Sequence, residues 1–437
     1  MERAKHLPLW LSLLWFVWPA SLSAQTCTPQ WNSPASLVNP GLNNFVWALA
    51  VYDDGTGPAL YAGGEFDYSG TRVVRGIAKW TDTGWISVGG GVDDPFDSDV
   101  AVYALAVYDD GTGPALYAGG RFALAGGITV GNLARWNGQT WSTVQGSGGY
   151  GAAGTVYALE VFDDGTGPAL YVGGNFTTVG GTVSANRVAR YKSTGWSAVG
   201  AGLNNTVYTI EASVDSRGPA LFVGGDFTAS GATTMNRVAK WSKGTPIPLY
   251  GWRALSTGMN DRVWDLEGFD DGTGAAMYAA GAFTTAGGTA AAHLARWNGS
   301  AWSPVGGGTD GTAYSLGLFD DGSGSALYVG GSFSHAGGVA GTSGIAQWDG
   351  VTWSSLGGGV PDVVSMTTFD NGGGLDLYVG GAIWPPGGIA SYIGRWDGCL
   401  GFTPSASVPT LAPWGSAALV LALAVTGLRI RRAGRRG

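Results

Sequence analysis

Seven times between residues 58 and 383 the chain returns to one short phrase. It reads PALYAGGEF (58–66), PALYAGGRF (114–122), PALYVGGNF (168–176), PALFVGGDF (219–227), AAMYAAGAF (275–283), SALYVGGSF (325–333) and LDLYVGGAI (375–383), with copies 50 to 56 residues apart. A unit of this size cannot bury an apolar face alone and folds by stacking on its neighbours. A period near 50 with a Gly-Gly doublet is in the range of propeller blades.

Each unit divides into four short strands. In the second copy VYALAVY (102–108) alternates and runs into the turn Asp109-Asp110-Gly111-Thr112-Gly113. ALYAGG (115–120), NLARWNG (132–138) and TWSTV (140–144) then follow. Asp-Gly and Asn-Gly turns between alternating runs mark hairpins. The expected fold is all-β: a seven-bladed β-propeller of four-stranded blades over residues 25–401. The seventh unit has no Trp strand after Gly398, whereas PGLNNFVW (40–47) matches AGLNNTVY (201–208), the junction after a fourth strand. A strand near 33–38 is expected to close the last blade, with Trp31 four residues upstream of the expected aromatic.

Composition closes off other architectures. The chain has 78 Gly, 20 Trp, 17 Tyr and 15 Phe with only 12% charged residues, which excludes a disordered chain. The glycines do not fall at every third position, so collagen is excluded, and no heptads support a coiled coil. The units resemble kelch repeats: an apolar strand ending in Gly-Gly, an aromatic on the third strand and a Trp on the fourth. The resemblance spans roughly residues 27–400 and implies the propeller fold. The third- and fourth-strand aromatics are closer than in that family (Trp136 and Trp141), and the Asp-Asp-Gly hairpin is not one of its hallmarks.

The two ends read as addresses. Residues 1–24 carry Arg3 and Lys5, an apolar run from Leu7 to Trp18 and small residues to Ala24, the order of a secretory signal peptide. After a linker at 402–407, residues 408–437 read VPTLAPWG, an apolar stretch and RIRRAGRRG. This tail resembles the Ile-Pro-Thr-Leu class of C-terminal sorting signals, related in plan to PEP-CTERM tails, with Val408 in place of Ile. The resemblance implies a bacterial protein held at the cell envelope or surface and handed to a sorting peptidase. A permanent single-pass transmembrane helix with a cytoplasmic basic tail is the simpler alternative. The chain carries −8 overall; Glu2, Arg3 and Lys5 give the leader +1 and five arginines give the tail +5, leaving −14 between them. An acidic surface repels phosphate backbones, so nucleic acid is not an expected partner. Cys27 and Cys399, the two cysteines, flank the closure of the ring, and in an exported protein they are expected to form a disulfide.

Acids recur after each first strand: Asp53-Asp54, Asp109-Asp110, Asp163-Asp164, Asp270-Asp271 and Asp320-Asp321, with Asp370-Asn371 in unit seven and Asp215 alone in unit four. One reading is turn chemistry, with Asp capping its own backbone and Gly taking positive φ. A second is pairing with the third-strand cations Lys79, Arg135, Arg190, Lys240, Arg296 and Arg395, which unit six, with Gln347, should lack. The functional alternative is Ca2+ at these carboxylates, though Asp-Asp-Gly-Thr-Gly lacks the alternating spacing of a dedicated calcium loop. His293 and His335 fall in corresponding loops of neighbouring units, and a shared cation site there is the sharper reading beside plain turn positions. No Ser-His-Asp or Cys-His constellation stands out, no phosphate loop is present, and no cofactor is implied. The expected function is a non-enzymatic, exported ligand-binding, adhesion or structural module for an extracellular glycan or protein. The alternative is a polysaccharide-active hydrolase or lyase on the same scaffold.

Overall fold

The computed structural model describes residues 30–32, 41–146, 149–215, 218–243, 250–383 and 392–397. The expected leader, sorting tail and linker, the 33–38 segment, Cys27 and Cys399 lie outside them. Among the described residues the chain folds into seven four-stranded antiparallel sheets, a propeller-like all-β architecture. Sheet 1 is Val46–Asp53, Pro58–Gly64, Ile77–Thr81 and Gly84–Ser87. The first strands of sheets 2 to 7 are Ala101–Asp109, Val156–Asp163, Val207–Asp215, Val263–Asp270, Thr312–Asp320 and Val363–Asp370. Each first strand neighbours the first strand of the next sheet, and that of sheet 7 neighbours that of sheet 1.

The Gly-Gly doublet explains how the sheets meet. A Cβ on the first glycine would lie 2.6 Å from Val102 at Gly63, 2.4 Å from Val156 at Gly119 and 2.7 Å from Val207 at Gly173. Each contact reaches the first strand of the following sheet, and Gly380 of sheet 7 meets Val46 of sheet 1 at 2.6 Å in the same way. Where the doublet becomes Ala280-Gly281, the residue at the valine's place is Ala313, and both are fully buried in one core. Small against large has become small against small, as close packing demands.

The aromatic pairs seal the outer part of each sheet. Third- and fourth-strand rings meet at 5.3 Å (Trp80–Trp85, Trp136–Trp141, Trp241–Trp252, Trp297–Trp302), 5.1 Å (Tyr191–Trp196) and 5.0 Å (Trp348–Trp353). In every sheet but the first the fourth-strand indole then donates to a carbonyl of the preceding unit, as Trp141 Nε1 does to Val88 O at 2.9 Å, while the buried Trp85 Nε1 has no partner among the described residues. The last sheet obtains these contacts from the N-terminus. Its fourth strand is Gln30–Asn32, antiparallel to Ile393–Asp397 with Trp31 opposite Trp396. Trp31 packs on Trp396 at 5.1 Å and donates to Leu356 O at 2.7 Å. Trp31 is therefore the fourth-strand aromatic, standing 15 residues before Val46 as Trp141 stands 15 before Val156.

Candidate functional site

In every sheet the pairing of first and second strands slips by one residue at the same place, and the residue left out is Trp47, Tyr103, Tyr157, Tyr208, Trp264, Tyr314 or Val364. A bulge re-aims the side chain it carries. The second glycine of the doublet permits it: a Cβ on Gly64 would sit 2.0 Å from Phe45 O, and one on Gly120 2.0 Å from Ala101 O. So the doublet makes the bulge, and the bulge turns one aromatic per sheet toward the centre.

The six aromatics form a continuous arc. Centroids are 5.8 Å apart for Trp47–Tyr103, 5.1 Å for Tyr103–Tyr157 and Tyr157–Tyr208, 4.7 Å for Tyr208–Trp264 and 5.8 Å for Trp264–Tyr314. Val364 fills the seventh place, and Phe45 stacks on Trp47 at 5.2 Å. Together with Asp362 they line a cavity of about 640 Å³ at the mouth of the central channel. Polar groups orient the rings: Trp47 Nε1 donates to Glu65 at 2.9 Å, and Tyr208 donates to Asp226 at 3.2 Å. Asp226 also holds Arg262 through two bonds of 2.9 and 2.6 Å, placing the guanidinium 4.9 Å from the Tyr208 ring and 4.6 Å from Trp264. Burial raises the Tyr103 and Tyr208 hydroxyls to about 12, so both stay neutral.

A second cavity of about 240 Å³ is lined by the same rings and by the residues that follow them, among them Ala48, Ala104, Leu105, Ile210 and Met366, with Asp265 the acid among them. The Asp265 carboxylate accepts from Thr209 Oγ1 at 3.1 Å and from the Leu266 and Leu316 amides at 2.9 and 2.8 Å. Burial still pushes it up to about 6. Two residues further, Glu160, Glu211 and Glu267 occupy one level in sheets 3, 4 and 5, opposite Tyr171, Phe222 and Tyr278. The other four sheets carry Ala50, Ala106, Gly317 and Thr367 there. Burial raises Glu160 to about 8; burial and the nearby Asp265 do the same for Glu267. Glu211 is raised by burial and then by Glu267, Glu160 and Asp265.

The recurring aspartates are placed elsewhere, in the hairpins. The first of each pair caps its turn: Asp53 Oδ1 accepts from Gly55 N at 2.8 Å and Gly57 N at 3.0 Å, and Asp109, Asp163, Asp270 and Asp320 repeat this. The second takes a hydroxyl and a cation. Asp54 accepts from Thr56 Oγ1 at 2.7 Å, Tyr61 at 2.9 Å and Lys79 at 2.5 Å. The pairs Asp110–Arg135 (3.6 Å), Asp164–Arg190 (2.6 Å) and Asp271–Arg296 (2.8 Å) repeat the arrangement. Burial alone would raise Asp54 and Asp271, but their hydrogen bonds outweigh it and hold both at about 2. In unit six Asp321 keeps Ser323 at 2.5 Å, Gln347 brings no charge, and the buried Tyr328 hydroxyl has no partner among the described residues. Unit seven departs from expectation: Arg395 pairs with Asp376 of the second strand at 2.7 Å, because Asn371 has replaced the hairpin acid. These carboxylates thus serve turn amides, hydroxyls and the chain's own cations. Among the described residues no three His, Cys, Asp or Glu side chains converge to hold a metal. His335 pairs with Asp310 at 2.9 Å on the surface, and His293 sits half-buried with its Nδ1 unpartnered.

Sequence reading missed the mouth and the channel acids. The signal was present: an aromatic follows the leading Val or Ala of six first strands, and three Glu break an apolar alternation.

No family model and no curated protein matches the chain. Solved structures with some likeness include the extracellular domain of a putative one-component system from B. thetaiotaomicron (13% identity, TM-score 0.28, 78% of this chain and 39% of that one). An ancestral GH74 enzyme (15%, 0.36, 83% and 61%) and the Niastella koreensis GH74 enzyme (14%, 0.26, 80% and 73%) are others. The chain thus spans well under two thirds of the first of these and about three fifths of the second.

Proposed function

We propose that the chain is an exported seven-bladed β-propeller, held at the cell envelope by its C-terminal segment, that binds an extracellular ligand at the channel mouth and catalyses no reaction on it. The observation that carries this reading is the arc of six bulge-borne aromatics. Rings held by neighbouring rings and by carboxylates offer large apolar contact area at low entropic cost. Nothing in the folding of the sheets requires an aromatic there, since Val364 serves in sheet 7. A polysaccharide-cleaving reading would need carboxyls flanking a bond, whereas Glu160, Glu211 and Glu267 lie side by side on successive sheets. Closure of the ring supports the expected disulfide: Cys27 and Cys399 stand three and two residues beyond the paired Gln30 and Asp397.

Calorimetric titration of the full-length chain with a panel of soluble glycans, peptides and amines tests the reading. At least one compound should bind, and Tyr157→Ala with Trp264→Ala should weaken it tenfold or more without unfolding the chain. Binding that ignores both substitutions would refute the mouth as the site.

A further inference from the structure

The mouth and the cavity beneath it are lined by rings and acids, and the nearby Arg262 is already paired with Asp226. Aromatic faces present the negative side of their quadrupole, and Arg262 already rests on two of them. The residues lining the mouth and this cavity include Asp362 and Asp265 but no Lys or Arg. Deeper still, Glu160, Glu211 and Glu267 each keep part of their surface accessible. They lie on the first strands, each flanked by the first strands of both neighbouring sheets. No described residue hydrogen-bonds the Glu160 or Glu211 carboxyl, in contrast to Asp265, whose two oxygens are taken by Thr209, Leu266 and Leu316. These two acids are the groups of the channel left to an incoming partner.

That partner has a definable shape. Three carboxyls stand on one arc, one per sheet, and they are not gathered as a metal ion requires. A primary ammonium carries three N–H donors and no acceptor, so it can pair with a carboxyl of this arc while its chain lies back toward the rings. The acids lie three residues along the strand from the aromatic arc, a separation of roughly 10 Å at the usual strand rise. A neutral sugar could use the rings but would leave the carboxyls unmatched. Resting on the reading of the mouth as a binding site, we propose that its ligand is a linear amine that enters ammonium first. Glu160 and Glu211, the carboxyls without a partner, take the terminal ammonium, and the arc from Trp47 to Tyr314 holds the chain or a second ammonium about 10 Å behind.

The test is calorimetry on the full-length chain with spermidine, 1,8-diaminooctane, the uncharged 1,8-octanediol and a neutral hexasaccharide. Both amines should bind and the diol should not. Glu211→Gln and Glu160→Gln, which preserve shape, should each weaken amine binding at least tenfold, and Tyr157→Ala should do likewise. Circular dichroism confirms that the variants remain folded. If the hexasaccharide binds in a Tyr157-dependent way while the amines fail, the amine inference is overturned and the mouth reading stands. Amine binding that both Gln variants leave unchanged also overturns it. If no compound responds to Tyr157→Ala, the mouth reading falls and the amine inference falls with it.

Discussion

Hairpins and channel both carry recurring or clustered carboxyl groups, and the two regions put them to opposite use. Asp54 and Asp271 are surrounded by donors, are held at about 2 and stay ionised at neutral pH. Glu160 and Glu267 have burial without cations, rise to about 8 and keep their protons at neutral pH. The difference is one of depth and of neighbours together: the glutamates are buried far more deeply and lack the donors that the aspartates have. A third-strand Arg or Lys reaches the hairpin of its own sheet, while the first strand, as the inner edge, has no third-strand partner to call on. A carboxylate with a partner secures structure; one without costs stability until something enters to pair with it.

The largest effect should come from breaking a hairpin pair. Asp271 and Arg296 are nearly enclosed, with side-chain exposures of 9% and 16%. Removing one partner strands the other, so Arg296→Met should cost about 2–3 kcal/mol in urea unfolding at pH 7. Because the folded pKa of Asp271 lies below its unfolded value, this contribution is complete above pH ~4 and fades as pH falls through about 2. An equal loss at pH 7 and pH 2 would show that packing, not charge, is being measured.

The channel should respond with the reverse sign. Folded Glu160 and Glu267 hold protons that the unfolded chain has released above pH ~4.5, so their contribution to stability is full below that value. It declines as pH rises through about 8. Glu160→Gln should therefore raise stability by about 1–2 kcal/mol at pH 8, a figure reduced for water in the channel, and change it little at pH 4. A destabilising Gln at pH 8 would mean that the ionised carboxylate has a partner. The smallest effect belongs to unit six. Gln347→Arg supplies the cation that Asp321 and Tyr328 lack and should add about 0.5–1 kcal/mol. No gain would imply that the hairpin of unit six has relaxed around its missing charge.

How much was legible in the sequence follows the same division. The hairpin network could be read because it is local to one unit: acid, Tyr and cation recur at fixed offsets, and antiparallel pairing of three strands brings them together. Even the exception at Gln347 was readable. Arg395 escaped because Asp376 is an acid that no other unit has at that position. The expectation of a closing strand near 33–38 rests on the short junction at 201–208, whereas Trp31 is positioned by its partner Trp396 and by Leu356 O.

The mouth was not readable in this way. A bulge breaks the period of two on which strand reading rests, so Tyr157 and its equivalents looked like ordinary members of an alternating run. Their meeting also depends on residues about 50 positions apart being brought together once per sheet around one axis. The sequence by itself determined the repeat, the four strands of each unit and the chemistry of each hairpin, since those are set by hydrogen bonds and packing within one unit. Only the tertiary structure decided which strand faces the centre. The aromatic arc and the unpaired glutamates exist through contacts between units, which no single unit encodes.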